Sequence, residues 1–190
     1  MRLKQVIGKT EVFLVGTRSS VRSDNETNLG RLIAYNMAEG SGSDIAIING
    51  GAIRGSIKGG EITSNDVYTA LPFPNTVAKM NLSGEYILAV LQRGADLEPG
   101  SGGKLQTFGL TYTIDAGKVR IDKIRDQPFD LGKIYSVATN DFLAAGGDGY
   151  KVFKEKGGNL YNSGPLPSDL LINYIRENKV ITQQLLDSLK

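Results

Sequence analysis

The 190-residue chain contains no histidine and no cysteine. Without cysteine there are no disulfides and no thiolate metal sites, while the redox compartment stays open because an oxidising one does not require cystines. Without histidine the usual general base at neutral pH, the Ser–His and Cys–His pairs and the commonest transition-metal ligand are all missing. Any hydrolysis therefore needs other groups or another domain. An excess of one charge is lacking too: 22 basic residues stand against 20 acidic ones. That leaves no broad basic face of the kind that gives general nucleic-acid affinity, and no nucleic-acid partner is expected. No stretch approaches the roughly 20 apolar residues of a membrane span, and the opening MRLKQVIGKTEVFLVG lacks the long apolar block of a signal peptide.

Glycine is abundant, 24 of the 190 residues, against a usual share of roughly 7%. It falls in motifs rather than repeats, which predicts many tight turns. The length suits one domain over 1–190, able to bury on the order of 70% of its unfolded surface. TEVFLVG (10–16) alternates like a strand, and NLGRLIAYNMAEG (28–40) has helical spacing between Asn28 as N-cap and Gly40 as stop. DIAIING (44–50) reads as a buried strand opening into a loop. ITSNDVYTALPF (62–73) reads as a short helix capped by Thr63 or Ser64 and closed by Pro72. TVAKMNL (76–82) is a strand, followed by the helix SGEYILAVLQRGA with Ser83 at its start. GLTYTID and KVRIDKI flank Ala116-Gly117 at hairpin length. KIYSVAT (133–139) is another strand, PSDLLINYIREN and ITQQLLDSLK are terminal helices, and PGSGG (99–103) is the expected mobile loop. The mixture predicts an α+β (mixed α/β) fold, layered α/β/β/α, with mixed sheets in a single domain.

Four stretches carry possible chemistry, each with a plainer reading beside it. In TRSSVR, Arg18 and Arg22 either clamp a phosphate or carboxylate or are solvated surface charges. In INGGAIRGSI, Asn49, a glycine pair and Arg54 form either an anion-binding turn or an ordinary one. In ALPFPNT, Phe73 between two prolines is either presented at the surface, with Asn75 beyond it, or packed in the core. In TNDFLAAGGDGY, Phe142 and Asp148 either face one cleft across Gly146-Gly147, or Asp148 caps its own turn. Together these parts suit a nucleotide: arginines for phosphate, two rings for a base, an amide for its edge and a carboxylate for ribose hydroxyls. Neither a P-loop nor a G-x-G-x-x-G fingerprint occurs in the right context.

In that order along the chain, ETNLGRLIA, DIAIINGGAIR, GEITSNDVYTALPFPNTV, SGEYILAVL and TNDFLAAGGDGY resemble the C-terminal, substrate-binding domain of the 5′-nucleotidases. That family includes the bacterial periplasmic UDP-sugar hydrolase/5′-nucleotidase and the animal ecto-5′-nucleotidase, and the likeness runs from about Arg18 to Phe153. The resemblance implies that Phe73 and Phe142 stack on either side of a base, with Asn75 or Asn49 near its edge. It makes Arg18, Arg22 and Arg54 the phosphate and ribose arginines, and Asp148 the holder of the ribose hydroxyls. Two departures stand out: NGGAIR where many relatives have a third glycine, and QTFGL (106–110), which leaves Phe108 without a role. The resemblance also implies a missing N-terminal metallophosphoesterase domain carrying two divalent metal ions and the catalytic His–Asp pair. This domain itself is expected to hold neither cofactor nor metal.

The expected partners are thus AMP, adenosine, UDP-sugars and that catalytic domain, in a periplasmic or extracellular enzyme that dephosphorylates nucleoside phosphates. The isolated chain is expected to bind nucleotides weakly and hydrolyse none. The alternative is a stand-alone nucleotide-binding module without catalysis. Related domains in sulfur-oxidation proteins share the architecture, but Phe73, Phe142 and Asp148 speak for a nucleotide.

Overall fold

A computed structural model describes residues 4–189. Its elements in chain order begin β1 (Val6–Thr10), α1 (Arg18–Val21), α2 (Asn28–Ser41), β2 (Ile45–Asn49), β3 (Gly60–Thr63), α3 (Ser64–Ala70), β4 (Val77–Ser83) and α4 (Gly84–Asp96). They continue with β5 (Leu105–Phe108), β6 (Leu110–Asp115), β7 (Lys118–Ile124), β8 (Gln127–Pro128), β9 (Ile134–Asn140) and α5 (Asp141–Ala144). Last come α6 (Lys151–Lys156), β10 (Gly158–Tyr161), α7 (Pro167–Asn178), β11 (Val180–Ile181) and α8 (Gln183–Asp187). The fold is a mixed α+β domain, as expected.

Its centre is a five-stranded mixed sheet in the order β10-β4-β9-β2-β5. β2 runs parallel to β9 and antiparallel to β5, while β4 is antiparallel to β9 over Val77–Ser83. Successive side chains of a strand point to opposite faces, and both faces of this sheet are covered, so β2 is a continuous apolar run rather than an alternation. Ala46 and Ile48 join the core beneath α2 and α7, while Ile45 and Ile47 join the core that holds α4, α6 and the β6–β7 hairpin. A small sheet, β11-β1-β3, flanks the first core, and β6-β7-β8 flanks the second. Helix α2 follows from its spacing: Leu29, Leu32, Ile33 and Met37 lie on one buried stripe.

Several expectations shift in detail. The strand expected at 10–16 ends at Thr10, and only Leu14 beyond it bridges, to Ile57. The backbone N–H groups of Val15 and Gly16 donate instead to Asn28 Oδ1 and Ser56 Oγ, so no partner strand is needed there. That use of Asn28 removes it from the capping role, and Thr27 is the N-cap, its Oγ1 accepting from Gly30 N at 2.9 Å. Gly40 does not stop α2. The left-handed residue that closes it is Gly42, at φ +61°, two residues on. Thr63, not Ser64, caps α3, in a reciprocal box with Asp66. Ser83 precedes α4 as expected but makes no side-chain cap, and its Oγ is buried without a partner among the described residues. The last helix is shortened to Gln183–Asp187, because Val180 and Ile181 pair with β1; Lys190 lies outside the described residues.

Candidate functional site

The parallel pair β2 and β9 ends at one edge of the central sheet, so Asn49 and Asn140, the last residues of the two strands, emerge side by side. Asn140 Nδ2 donates to Asn49 Oδ1 at 2.9 Å, and Asn49 Nδ2 donates to Asp148 Oδ2 at 3.0 Å. Asn140 Oδ1 in turn accepts from Leu143 N at 2.8 Å and caps α5. The three side chains therefore form one hydrogen-bonded line that fixes Asp148 from the sheet. Asp148 sits in the left-handed region at φ +54°, a conformation that aspartate tolerates better than most residues. Arg93 holds the same turn from behind by donating to Asp148 O at 3.2 Å. Asp148 Oδ1 has no partner among the described residues.

Around this line lies a cavity of about 270 Å³, lined by Arg22, Asn49, Phe73, Asn75, Phe142 and Asp148 together with Gly51, Ala52, Gly102 and Asn140. Six of the eight residues singled out from the sequence thus share one cavity. Phe73 is 45% exposed, which sets aside its core-packing reading, and Phe142 is 42% exposed. Among the described residues neither ring contacts another aromatic ring. The glycine pair before Asp148 has a steric reason: a Cβ on Gly147 would stand 2.6 Å from the Phe142 ring.

Arg18 and Arg54 do not line the cavity but lie at its arginine side. Burial, and then the like charges of Arg18 and Arg54, push the Arg22 guanidinium below its ordinary pKa, while Asp148 pulls it back up. Arg22 is 8% exposed and its Nε is buried without a partner among the described residues. Among the described residues none of the three arginines has a carboxylate partner. Arg54 instead lies over the Phe73 ring, 5.6 Å from its centroid. Arg18 and Arg54 are both close enough to Arg22 for their charges to act on it.

Sequence reasoning missed three contributors. Asn140 looked like part of a turn, although an Asn followed by Asp-Phe-Leu after a strand is an N-cap pattern. Asp141 holds Asn75, whose Nδ2 donates to Asp141 Oδ1 at 2.6 Å. The PGSGG loop, expected to be mobile, is laced to the site: Gly51 N donates to Gly102 O at 2.7 Å and Gly100 N to Arg22 O at 2.8 Å. Tyr150 OH also donates to Gly103 O at 2.5 Å. Asn49, one of two amides expected at a base edge, commits its oxygen and one N–H to Asn140 and Asp148 and acts as their strut.

A larger cavity of about 720 Å³ runs along β5 and β6 past Glu26, Arg31, Phe108 and Arg125. Most of its charges are already matched, Arg31 with Glu26, Arg125 with Glu39 and Asp24 with Lys104, which leaves Asp126 as the one charged lining residue without an ion pair among the described residues. Phe108 finds its role there, edge-on to Tyr35 at 5.0 Å and beneath Arg125 at 4.8 Å, as packing.

The family model for the 5′-nucleotidase C-terminal domain matches residues 6–155. Protein UshA of Salmonella pullorum is 35% identical over 178 residues, which take in 94% of this chain and 32% of UshA. The chain thus spans about a third of the length of the UshA proteins it matches. Among solved structures, the 5′-nucleotidase precursor of Thermus thermophilus superposes with a TM-score of 0.85 at 40% identity, over 93% of this chain and 37% of its own. The NAD nucleotidase of Haemophilus influenzae superposes at 0.80 with 26% identity, over 95% of this chain and 37% of its own.

Proposed function

The chain belongs to the 5′-nucleotidase C-terminal domain family, and from that premise we propose that it is the nucleotide-gripping domain of a phosphohydrolase acting on nucleoside phosphates. The observation that carries this reading is the pair of half-exposed rings, Phe73 and Phe142, lining one cavity with the free carboxylate oxygen of Asp148. The rings take the base between them, each stack contributing about 1–3 kcal/mol. Asp148 Oδ1 accepts from ribose hydroxyls, with its orientation fixed by Asn49. Arg18, Arg22 and Arg54 hold the phosphates. A cavity of about 270 Å³ is at the small end for ligand sites, which run from ~300 Å³ upward. Base and ribose occupy it, and the phosphates project to the arginines at its mouth.

Catalysis belongs to a metallophosphoesterase domain outside this chain. The chain's own residues do not fit a two-metal centre: there is no histidine, and among the described residues no cluster of three acidic ligands assembles. We place the intact enzyme in the periplasm or outside the cell, as the family implies; no helix among the described residues is long and apolar enough to cross a membrane. Calorimetric titration of the purified chain with AMP and adenosine, alongside a phosphate-release assay with added divalent metals, tests the reading. The expected result is weak binding, tighter for AMP, and no turnover. Absence of binding to either ligand overturns the gripping role, and metal-dependent turnover overturns the division of labour.

A further inference from the structure

Little holds the Arg22 guanidinium directly: among the described residues its one hydrogen bond is long, from Nη1 to Gly100 O at 3.4 Å. Its placement therefore comes from the backbone that carries it, and buried polar side chains tie that backbone to β5. Gln106 Nε2 donates to Val21 O at 3.3 Å, Gln106 Oε1 accepts from Thr27 N at 2.8 Å, and Thr107 Oγ1 donates to Glu26 Oε1. The tie in the middle of the loop is ionic. Lys104, buried immediately before β5, donates from Nζ to Asp24 Oδ1 at 2.6 Å and to Ala95 O, near the end of α4, at 3.3 Å. Its main chain reaches the other two loops on the arginine side: Lys104 O accepts from Gly50 N at 2.6 Å, and Lys104 N donates to Ser101 O at 3.3 Å. One residue thus joins the Arg22 loop, the PGSGG loop and the Gly50–Ala52 turn.

A buried lysine needs a reason, because stripping its charge of water can cost more than the attraction of the pair returns, and an apolar side chain of similar volume avoids that cost. Resting on the reading of the arginine side as a phosphate site, we infer that Lys104 is a positioning residue. It pins Asp24, two residues beyond Arg22, and so sets where that guanidinium stands. Asp24 is half-exposed and lies in a bend with neither helix nor strand, so the fixed end of the pair is Lys104. Without the pair, the loop keeps its ties at Val21, Glu26 and Thr27 and the bond from Gly100 N to Arg22 O. It loses the side-chain anchor nearest to Arg22 on its far side. A change in the lysine side chain leaves the main-chain bonds of residue 104 in place. Phe73, Phe142 and Asp148 are carried by other segments, so the effect falls on the part of a ligand that Arg22 meets.

The experiment is calorimetric titration of the 190-residue chain and its Lys104→Met variant with adenosine and AMP, which differ only in the phosphate, alongside urea denaturation. Wild type is expected to bind AMP more tightly. In Lys104→Met the AMP affinity should fall by about tenfold, the scale of one charge-assisted hydrogen bond. Adenosine affinity should stay as it was, and the urea midpoint should be no lower, since an apolar replacement relieves the buried charge. Asp24→Asn, altered at the solvent end of the pair, should show the same selective loss, and the double variant no more than either alone. Asp24→Asn also carries the test if Lys104→Met fails to fold. An AMP preference kept in full by both variants overturns the role of Lys104 and leaves the nucleotide site standing. Equal losses for adenosine and AMP, or a loss in Lys104→Met that Asp24→Asn does not share, make the lysine a structural residue and overturn it too. Equal binding of the two ligands by wild type, or binding of neither, removes the phosphate reading and this inference with it.

Discussion

Phe142→Ala separates a ring that serves a ligand from a ring that serves the core. With 42% of the residue exposed, the folded state has a limited stake in it. A fully buried Phe→Ala substitution costs about 3–5 kcal/mol, and scaling to this exposure leaves about 2 kcal/mol. For a chain of this size that is a fall in Tm of about 4–8 °C, so the variant stays folded at room temperature. Loss of one base stack should weaken adenosine binding by about 1–3 kcal/mol, or roughly 5- to 150-fold in Kd. Calorimetry at 25 °C reads this, with Phe13→Ala as the control: Phe13 is 49% exposed and lines no part of the cavity. That control should lose similar stability and no affinity. If Phe142→Ala binds adenosine as wild type does, the stacking role is wrong. If both variants lose affinity equally, the loss reflects stability rather than contact.

Gly147→Ala tests the same wall without removing the ring. The added Cβ meets the Phe142 ring and its carbonyl oxygen, each at 2.6 Å, so the ring or the turn must move. We expect a stability loss of about 1–3 kcal/mol and weaker adenosine binding; unchanged affinity by calorimetry would show that the ring position is not set by this contact. Asn140→Ala leaves the buried Asn49 oxygen without its donor and removes the α5 cap. Together these should cost about 2–4 kcal/mol in urea denaturation, and a loss below ~0.5 kcal/mol would mean that the line of amides does not hold Asp148. Burial raises the Glu26 carboxyl above its usual 4.5, opposed by its bonds to Thr107 and Arg31. A raised acid favours the folded state most below that usual value, and this advantage fades as pH rises through the folded-state value. Glu26→Gln should therefore flatten the decline of the urea midpoint between pH 4.5 and neutrality; an unaltered slope would locate the decline in other groups.

Elements with a strong local signature were legible in the sequence. Helices α2, α4 and α7 have apolar stripes, and the β6–β7 hairpin has its two-residue link, with Ala116 and Gly117 both at positive φ. β1 was hidden because its sequence, VIGKT, mixes a glycine and a lysine into a five-residue strand. Gly8 is there for the close approach of Ile175, 2.7 Å from where a Cβ would lie, a long-range demand that no periodicity announces. β5 was missed for a related reason: Gln106 is fully buried at 0% exposure, tying Thr27 N and Val21 O together, where a polar residue suggests a loop. In the site, that Phe73, Phe142, Asp148 and Arg22 come together at one cavity was legible, chiefly through the family likeness. Their division of labour was not. Whether Asn49 or Asn75 faces a ligand depends on partners 99 and 66 residues away, and the PGSGG loop looked mobile because its anchors lie in the Gly50–Ala52 turn and at Arg22.

The amide line also bears on the order in which the chain acquires its properties. Asn49 bonds to residues 91 and 99 positions downstream, and it can do so only after β2 and β9 have paired across the intervening segment from β3 to β8. Contacts that close such long loops form late compared with local helices and hairpins. In a refolding chain, then, α2 and α4 should reach native helicity before Asp148 is set, and capture of a fluorescent nucleoside should trail the far-ultraviolet signal. Ligand competence would mark the final step of assembly, so a refolding preparation that binds has already paired β2 with β9.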